Sequence, residues 1–240
     1  MKKGYDVFGK AYGVMLRNDL HDKNSIEHKL LKNQVLLDLE TAAMLYQTPP
    51  KGYSTQEHEL FAFSRQFLRD TQYHSVEALM TFTSGIASEF SVDFADMYFG
   101  GTEKEILERG TDWCFDMARA AAVLLDCMGI PARFLFLANP HRAYCGHVVL
   151  EAYYQQGWGV LDPIFGYIFF QDKPIPAKDI HSSEQLMAMD KEYRQLYEQI
   201  AVCEYNPTEE NTYAVTQANA YYRRLNSLKQ DGSWLLNEDK

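Results

Sequence analysis

The sequence predicts an α+β protein with an antiparallel sheet, its strands preceded and followed by helices. Segments of helical periodicity come first, runs rich in Val, Phe, Tyr, Leu and Trp follow between 133 and 171, and helical periodicity returns afterwards. Grouping of this kind favours an antiparallel sheet over a doubly wound parallel one. Gln155-Gln156-Gly157 forms a hairpin turn between two of the strand-like runs. No strand leads into a glycine-rich phosphate loop, so nucleotide binding has no support.

Taken in order, residues 1–24 show little periodicity and read as an irregular lead. Asn24 or Ser25 caps a predicted helix to Gln47, with Leu30, Leu31, Val35, Leu39 and Ala43 at helical spacing. Thr48-Pro49-Pro50-Lys51-Gly52 breaks the chain. Ser54 and Glu57 have the capping-box spacing, which predicts a helix to Asp70. A further helix is expected over 75–90, a short extended piece over 90–94, and a polar turn or short helix over 100–111. Thr111 or Asp112 is the expected cap of a helix over 113–128, slimmed by Ala118 and Ala120 to Ala122 and stopped by Gly129 and Pro131. Strands are predicted over 133–137, 146–154 and 157–162, with a short fourth over 167–171. Helices are expected over 183–203 and 207–228.

The composition narrows the function. A net charge of −10, with basic runs no longer than Lys2-Lys3 and Arg223-Arg224, argues against nucleic-acid binding. No apolar run is long enough for a signal peptide or a membrane span, so a cytoplasmic protein without membrane attachment is expected. The four cysteines, Cys114, Cys127, Cys145 and Cys203, form no CxxC pair and are read as reduced thiols.

Cys114 differs from the others in position. It opens a helix, where exposed N–H groups and the helix dipole favour a thiolate. His147 lies at the start of one hairpin strand and Asp162 at the end of the other, so the two fall at the same end of the hairpin. Cys114, His147 and Asp162 are therefore the candidate catalytic residues, as nucleophile, base and orienting carboxylate. The backbone N–H of Cys114 and an upstream donor, with Tyr98 and Gln72 as candidates, would hold the oxyanion.

These residues resemble a known family. Gly110-Thr-Asp-Trp-Cys114, the small-residue helix that follows, and Gly129-Ile-Pro-Ala-Arg133 are similar to the nucleophile helix of the transglutaminase-like superfamily. Gly146-His147-Val-Val-Leu-Glu151 and Trp158-Gly-Val-Leu-Asp162-Pro163 are similar to its His and Asp motifs. The likeness covers roughly residues 75–170. It implies a papain-like core over 75–180, between a helical N-terminal extension (1–74) and a helical C-terminal segment (181–240). It also implies chemistry on amides or esters, without cofactor or metal, on a peptide, protein or amide-containing substrate. Many members follow the histidine with Ala-Trp; Val148-Val149 here implies a different pocket shape.

Hydrolysis through a Cys114 thioester is the expected reaction. A protein-glutamine transamidase or deamidase, and a non-catalytic binding or scaffold protein keeping the fold, are the alternatives. No acidic loop has calcium-ligand spacing. Cys114, Cys145, His147 and Asp162 are all zinc-ligand types but lack the short paired spacing of zinc motifs. Cys127, Cys145 and Cys203 are read as packing residues and His141 as a loop residue. Tyr153, Tyr154, Tyr221 and Tyr222 are candidates for lining a substrate groove.

Overall fold

The computed structural model describes residues 34–37, 39–47, 56–89, 102–139 and 144–204. Its centre is a six-stranded antiparallel sheet in the order β1-β6-β2-β3-β4-β5. The strands are β1 (Gln34–Leu36), β2 (Ala132–Asn139), β3 (Tyr144–Tyr154), β4 (Gly157–Asp162), β5 (Tyr167–Ile168) and β6 (Ile200–Glu204). The helices are α1 (Leu39–Gln47), α2 (Phe61–Ser64), α3 (Gln72–Glu89), α4 (Glu103–Arg109), α5 (Cys114–Cys127), α6 (Glu184–Ala188) and α7 (Lys191–Tyr197). Among the described residues no helix is long and apolar enough to cross a membrane.

Both faces of the sheet are covered, which explains strands that are apolar on both sides. Phe134, Phe136, Val148, Leu150, Ala152 and Leu161 face the layer of α5 and α3. Leu135, Leu137, Val149, Val160 and Cys203 face a second layer with Leu45, Phe169, Ile180 and Tyr197. The helix α5 is buried along its whole length after Cys114, and its alanines let it lie close to the sheet. It ends in a Schellman motif: Gly129, at φ +78°, donates to the Asp126 carbonyl, and Ile130 N–H donates to the Leu125 carbonyl.

Several predicted elements differ in extent. Within the helix expected from Asn24 or Ser25 to Gln47, Leu39–Gln47 is helical but Gln34–Leu36 is a strand on β6; residues 24–33 lie outside the described residues. The helix expected up to Asp70 is a single turn, α2, followed by a 3-10 turn at Arg65–Phe67, and Leu68 is already extended. The capping box predicted at Ser54 lies outside the described residues. One is found at Thr102 and Glu105, where it opens α4. Trp113 holds the cap position of α5 without a side-chain capping bond, while the Thr111 hydroxyl accepts the Trp113 N–H. The helix predicted over 183–203 breaks into α6, α7 and β6 because Met189 is extended and 200–204 pairs with both β1 and β2. The segments 1–24, 90–94 and 207–228 lie outside the described residues.

Two local irregularities position the site. The β3–β4 hairpin turns on Gln155 and Gln156, both at positive φ. On the other side of β3 the register with β2 jumps from Leu137↔His147 to Ala138↔Cys145, leaving Gly146 as an extra residue. A bulge bends its strand and re-aims the neighbouring side chain, and that neighbour is His147.

Candidate active site

Cys114 is the first residue of α5. The first intrahelical bond runs from Met117 N–H to the Trp113 carbonyl, so the N–H groups of Cys114, Phe115 and Asp116 lie ahead of the helical ladder, at its positive end. Stacking of Phe115 on Phe134, with ring centroids 5.0 Å apart, ties this turn to the sheet. Cys114 remains partly exposed, unlike the buried thiols Cys127 and Cys203.

His147 and Asp162 are both buried. The β3–β4 ladder runs from Tyr154↔Gly157 to Leu150↔Leu161. Its end leaves His147 beside the point where β4 stops and turns at Asp162-Pro163. There His147 Nε2 lies 2.6 Å from Asp162 Oδ2. Cys114 lies near enough to the imidazole to act on its charge. The structure therefore brings the three predicted site residues together in the order thiol, imidazole, carboxylate.

Electrostatics sets the charge of the imidazole. Burial favours its neutral form, but the attraction of Asp162, the hydrogen bond to it and the contact with Cys114 outweigh burial and push His147 up to about 10. At neutral pH it is an imidazolium. Asp162 is held on both oxygens: Oδ1 accepts the N–H groups of Ile164 (3.0 Å) and Phe165 (3.2 Å), and Oδ2 accepts the Tyr197 hydroxyl as well as His147.

Other candidates fall elsewhere. Gln72 accepts the Gln155 N–H at the hairpin turn, eight residues along β3 from His147, or roughly 26 Å at strand rise. It is no oxyanion donor. Tyr154 is fully buried against Phe170, and Tyr153 packs on Trp158. Tyr98, His141, Tyr221 and Tyr222 lie outside the described residues, as does the side chain of Cys145. Among the described residues no group of three or more His, Cys, Asp or Glu is arranged to hold a metal ion.

Three residues at the site were not anticipated. The Phe165 ring lies 5.5 Å from the imidazole, and the Tyr197 ring meets it edge-on at 6.2 Å. Gln199 covers the backbone of Gly146: a Cβ there would come within 2.8 Å of its amide. Only Phe165, just past Asp162-Pro163, stood near a visible motif. A groove of about 640 Å³ is lined by Tyr73, Glu77, Thr81, Tyr167 and Asp190 among others. None of the three site residues lines it; it begins at Gly166, one residue beyond Phe165.

Comparisons with curated proteins and with solved structures find no match. Residues 61–163 match the family model of the transglutaminase-like superfamily, and this span contains Cys114, His147 and Asp162. With a cysteine at the head of a buried helix and an antiparallel sheet beneath it, residues 61–163 form a transglutaminase-like domain, whose superfamily fits chemistry of the cysteine-dependent acyl-transfer type.

Proposed function

We propose that the protein is a thiol hydrolase that cleaves a peptide, amide or related acyl bond through a Cys114 thioester. The observation that carries this reading is the 2.6 Å pairing of His147 with Asp162, with Cys114 near enough to act on the same imidazole. A cationic imidazole beside sulfur supports a thiolate, and the thiolate is the nucleophilic form.

The steps follow from these charges. The Cys114 thiolate attacks the carbonyl carbon, and the backbone N–H at the start of α5 stabilises the oxyanion. As the tetrahedral intermediate collapses, the C–N bond breaks and His147 gives its proton to the departing amine. A water molecule then attacks the thioester, giving its proton to the now neutral His147. Collapse releases the carboxylic acid and leaves the thiolate–imidazolium pair. Asp162 keeps the imidazole aimed and stabilises its cation throughout.

Alkylation by iodoacetamide near neutral pH, read by mass spectrometry, tests the nucleophile. Cys114 should be modified at least ~10-fold faster than a thiol of ordinary reactivity in a short peptide. A Cys114 no faster than Cys203 would remove the basis for the reading. An acyl-enzyme discharged faster by added amine than by water would replace hydrolysis by transamidation.

A further inference from the structure

Two side chains close on the site from outside the family match, and both belong to one short piece of chain. Tyr197 ends α7, and Gln199 lies between it and β6. The Tyr197 ring is fully buried, packed on Phe169 at 5.1 Å and edge-on to His147 at 6.2 Å. Its hydroxyl donates to Asp162 Oδ2, the oxygen that also faces His147 Nε2. Burial and the neighbouring carboxylate push the phenol well above its ordinary range, so it stays a donor at any working pH.

We propose that Tyr197 is a positioning residue for the Cys114–His147–Asp162 site, fixing Asp162 so that Oδ2 stays aimed at the imidazole. This inference rests on the acyl-transfer reading above. The geometry gives the reason for a third clamp. The N–H groups of Ile164 and Phe165 hold Oδ1 alone, which leaves the carboxylate free to swing about that anchor. A donor on Oδ2 removes the remaining freedom, and a buried carboxylate needs its lone pairs satisfied in any case. His147 then meets an acceptor already locked in place. Because the donor comes from α7, the matched segment 61–163 does not by itself contain a complete site; the chain through β6 supplies the last contact.

A double-mutant cycle on the whole chain tests this, using Cys114 alkylation as the readout. Tyr197→Phe keeps the ring and removes the donor. It should slow alkylation at pH 7 by about threefold or more, and move the step that reports His147 deprotonation by about half a pH unit or more. In an Asp162→Asn background the same change should alter the rate by less than about twofold, because a residue acting through Asp162 has nothing left to position. An unchanged rate and pH profile in Tyr197→Phe, even with a lower melting temperature, overturns the proposal. Equal slowing in both backgrounds also overturns it, since that marks ring packing.

Should Tyr197→Phe fail to fold, tyrosine labelled with carbon-13 at Cζ in the otherwise unaltered chain gives a second measurement. The Tyr197 resonance should differ between the native protein and Asp162→Asn; identical resonances would mean the hydroxyl does not sense Asp162. If native Cys114 proves no more reactive than Cys203, the acyl-transfer reading fails on its own account, while the resonance still reports whether the Tyr197–Asp162 bond exists.

Discussion

Asp162 and Glu151 are two buried carboxylates of neighbouring strands, and their surroundings match almost group for group. Each accepts a tyrosine hydroxyl, from Tyr197 and Tyr46 respectively. Each accepts backbone N–H bonds, from Ile164 and Phe165 or from Ala177. Each pairs with a base, His147 at 2.6 Å or Arg133 at 2.6 Å. Each has a cysteine within reach: Cys114 through the imidazole, and Cys203 directly, with Sγ 3.7 Å from Glu151 Oε2.

The differences separate chemistry from structure. A guanidinium keeps its proton, whereas an imidazole passes one on. Arg133 lies 4.0 Å from the Trp158 ring and 5.0 Å from the Tyr46 ring, which seals that pair. Burial and Glu151 push the Cys203 thiol well up, keeping it protonated. The Glu151 cluster instead joins α1 (through Tyr46), β2, β3, the Ala177–Ser182 turn and β6. One inventory of groups thus yields a candidate thiol site at an open strand end and a clasp in the middle of the sheet.

The largest expected effect removes the thiol from each cluster. Cys114→Ala should abolish turnover, by a factor on the order of 10⁵ or more, since losing a nucleophile costs about as much as losing a whole triad. Its folding stability should stay within about 1 kcal/mol of the native protein, because Cys114 is partly exposed. Cys203→Ala should leave turnover within about twofold and act only on stability. Initial-rate assays with an amide or thioester substrate, beside urea unfolding, distinguish the two.

Next comes loss of each carboxylate. Asp162→Asn should cut turnover by a factor on the order of 10³–10⁴, the size seen when an orienting aspartate is neutralised elsewhere. The His147 cation should weaken too, because burial then acts against it with its main opponent gone. Glu151→Ala should instead lower unfolding free energy by about 3–5 kcal/mol, by stranding a buried Arg133. The active fraction that remains folded should work at nearly the native rate. If Glu151→Ala slowed chemistry without loss of stability, the division between clasp and site would be wrong.

The sequence makes one of these clusters far more legible than the other. Cys114, His147 and Asp162 stand out because each occupies an element boundary: the head of a small-residue helix, a Gly-His strand start, an Asp-Pro strand end. The core strands and α5 are legible from pattern for the same reason. Tyr197 is one of 16 tyrosines and carries no local mark. Its neighbourhood also misleads: Leu196-Tyr197 and Ile200-Ala-Val-Cys203 read as one amphipathic helix, since a short apolar run does not distinguish helix from strand. Pairing with β1 and β2 decides it, and partners so distant in sequence leave no local trace. The same holds for Gln34–Leu36, and for Glu151, whose partners come from four separate segments.

A gentler probe is pH. The raised value of His147 means that the folded protein binds this proton more tightly than the unfolded chain, whose histidine titrates near the ordinary 6.5. That contribution is fully present below about pH 6.5 and is lost as pH rises through about 10. Between pH 6.5 and 8.5 ionisation of the Cys114 thiol would offset this proton, so the fall in urea midpoint should be seen in Cys114→Ala, which lacks the thiol. In Cys114→Ala with His147→Gln the fall over this window should be shallower. Equal slopes in the single and double variants would show that the imidazole is not held as a cation.

The smallest effect should come from Gly146→Ala, which touches the bulge beside His147. The added Cβ would lie 2.8 Å from Gln199 Nε2 and 2.9 Å from its Oε1, closer than real Cβ contacts allow. The obstacle is the far end of a flexible side chain, so the amide can swing aside and the stability loss should be under about 1 kcal/mol. Gly146 has no counterpart in the Glu151 cluster, where the strand is regular, and this substitution asks whether the bulge's cover matters to the chemistry. If Gln199 only fills space, turnover should stay within about twofold of native. A tenfold fall with stability unchanged would instead make the amide over Gly146 part of what aims His147. The site would then depend on two side chains at and just beyond the end of α7, and Gln199→Ala alone should slow the rate as far, with no further loss when it is combined with Gly146→Ala.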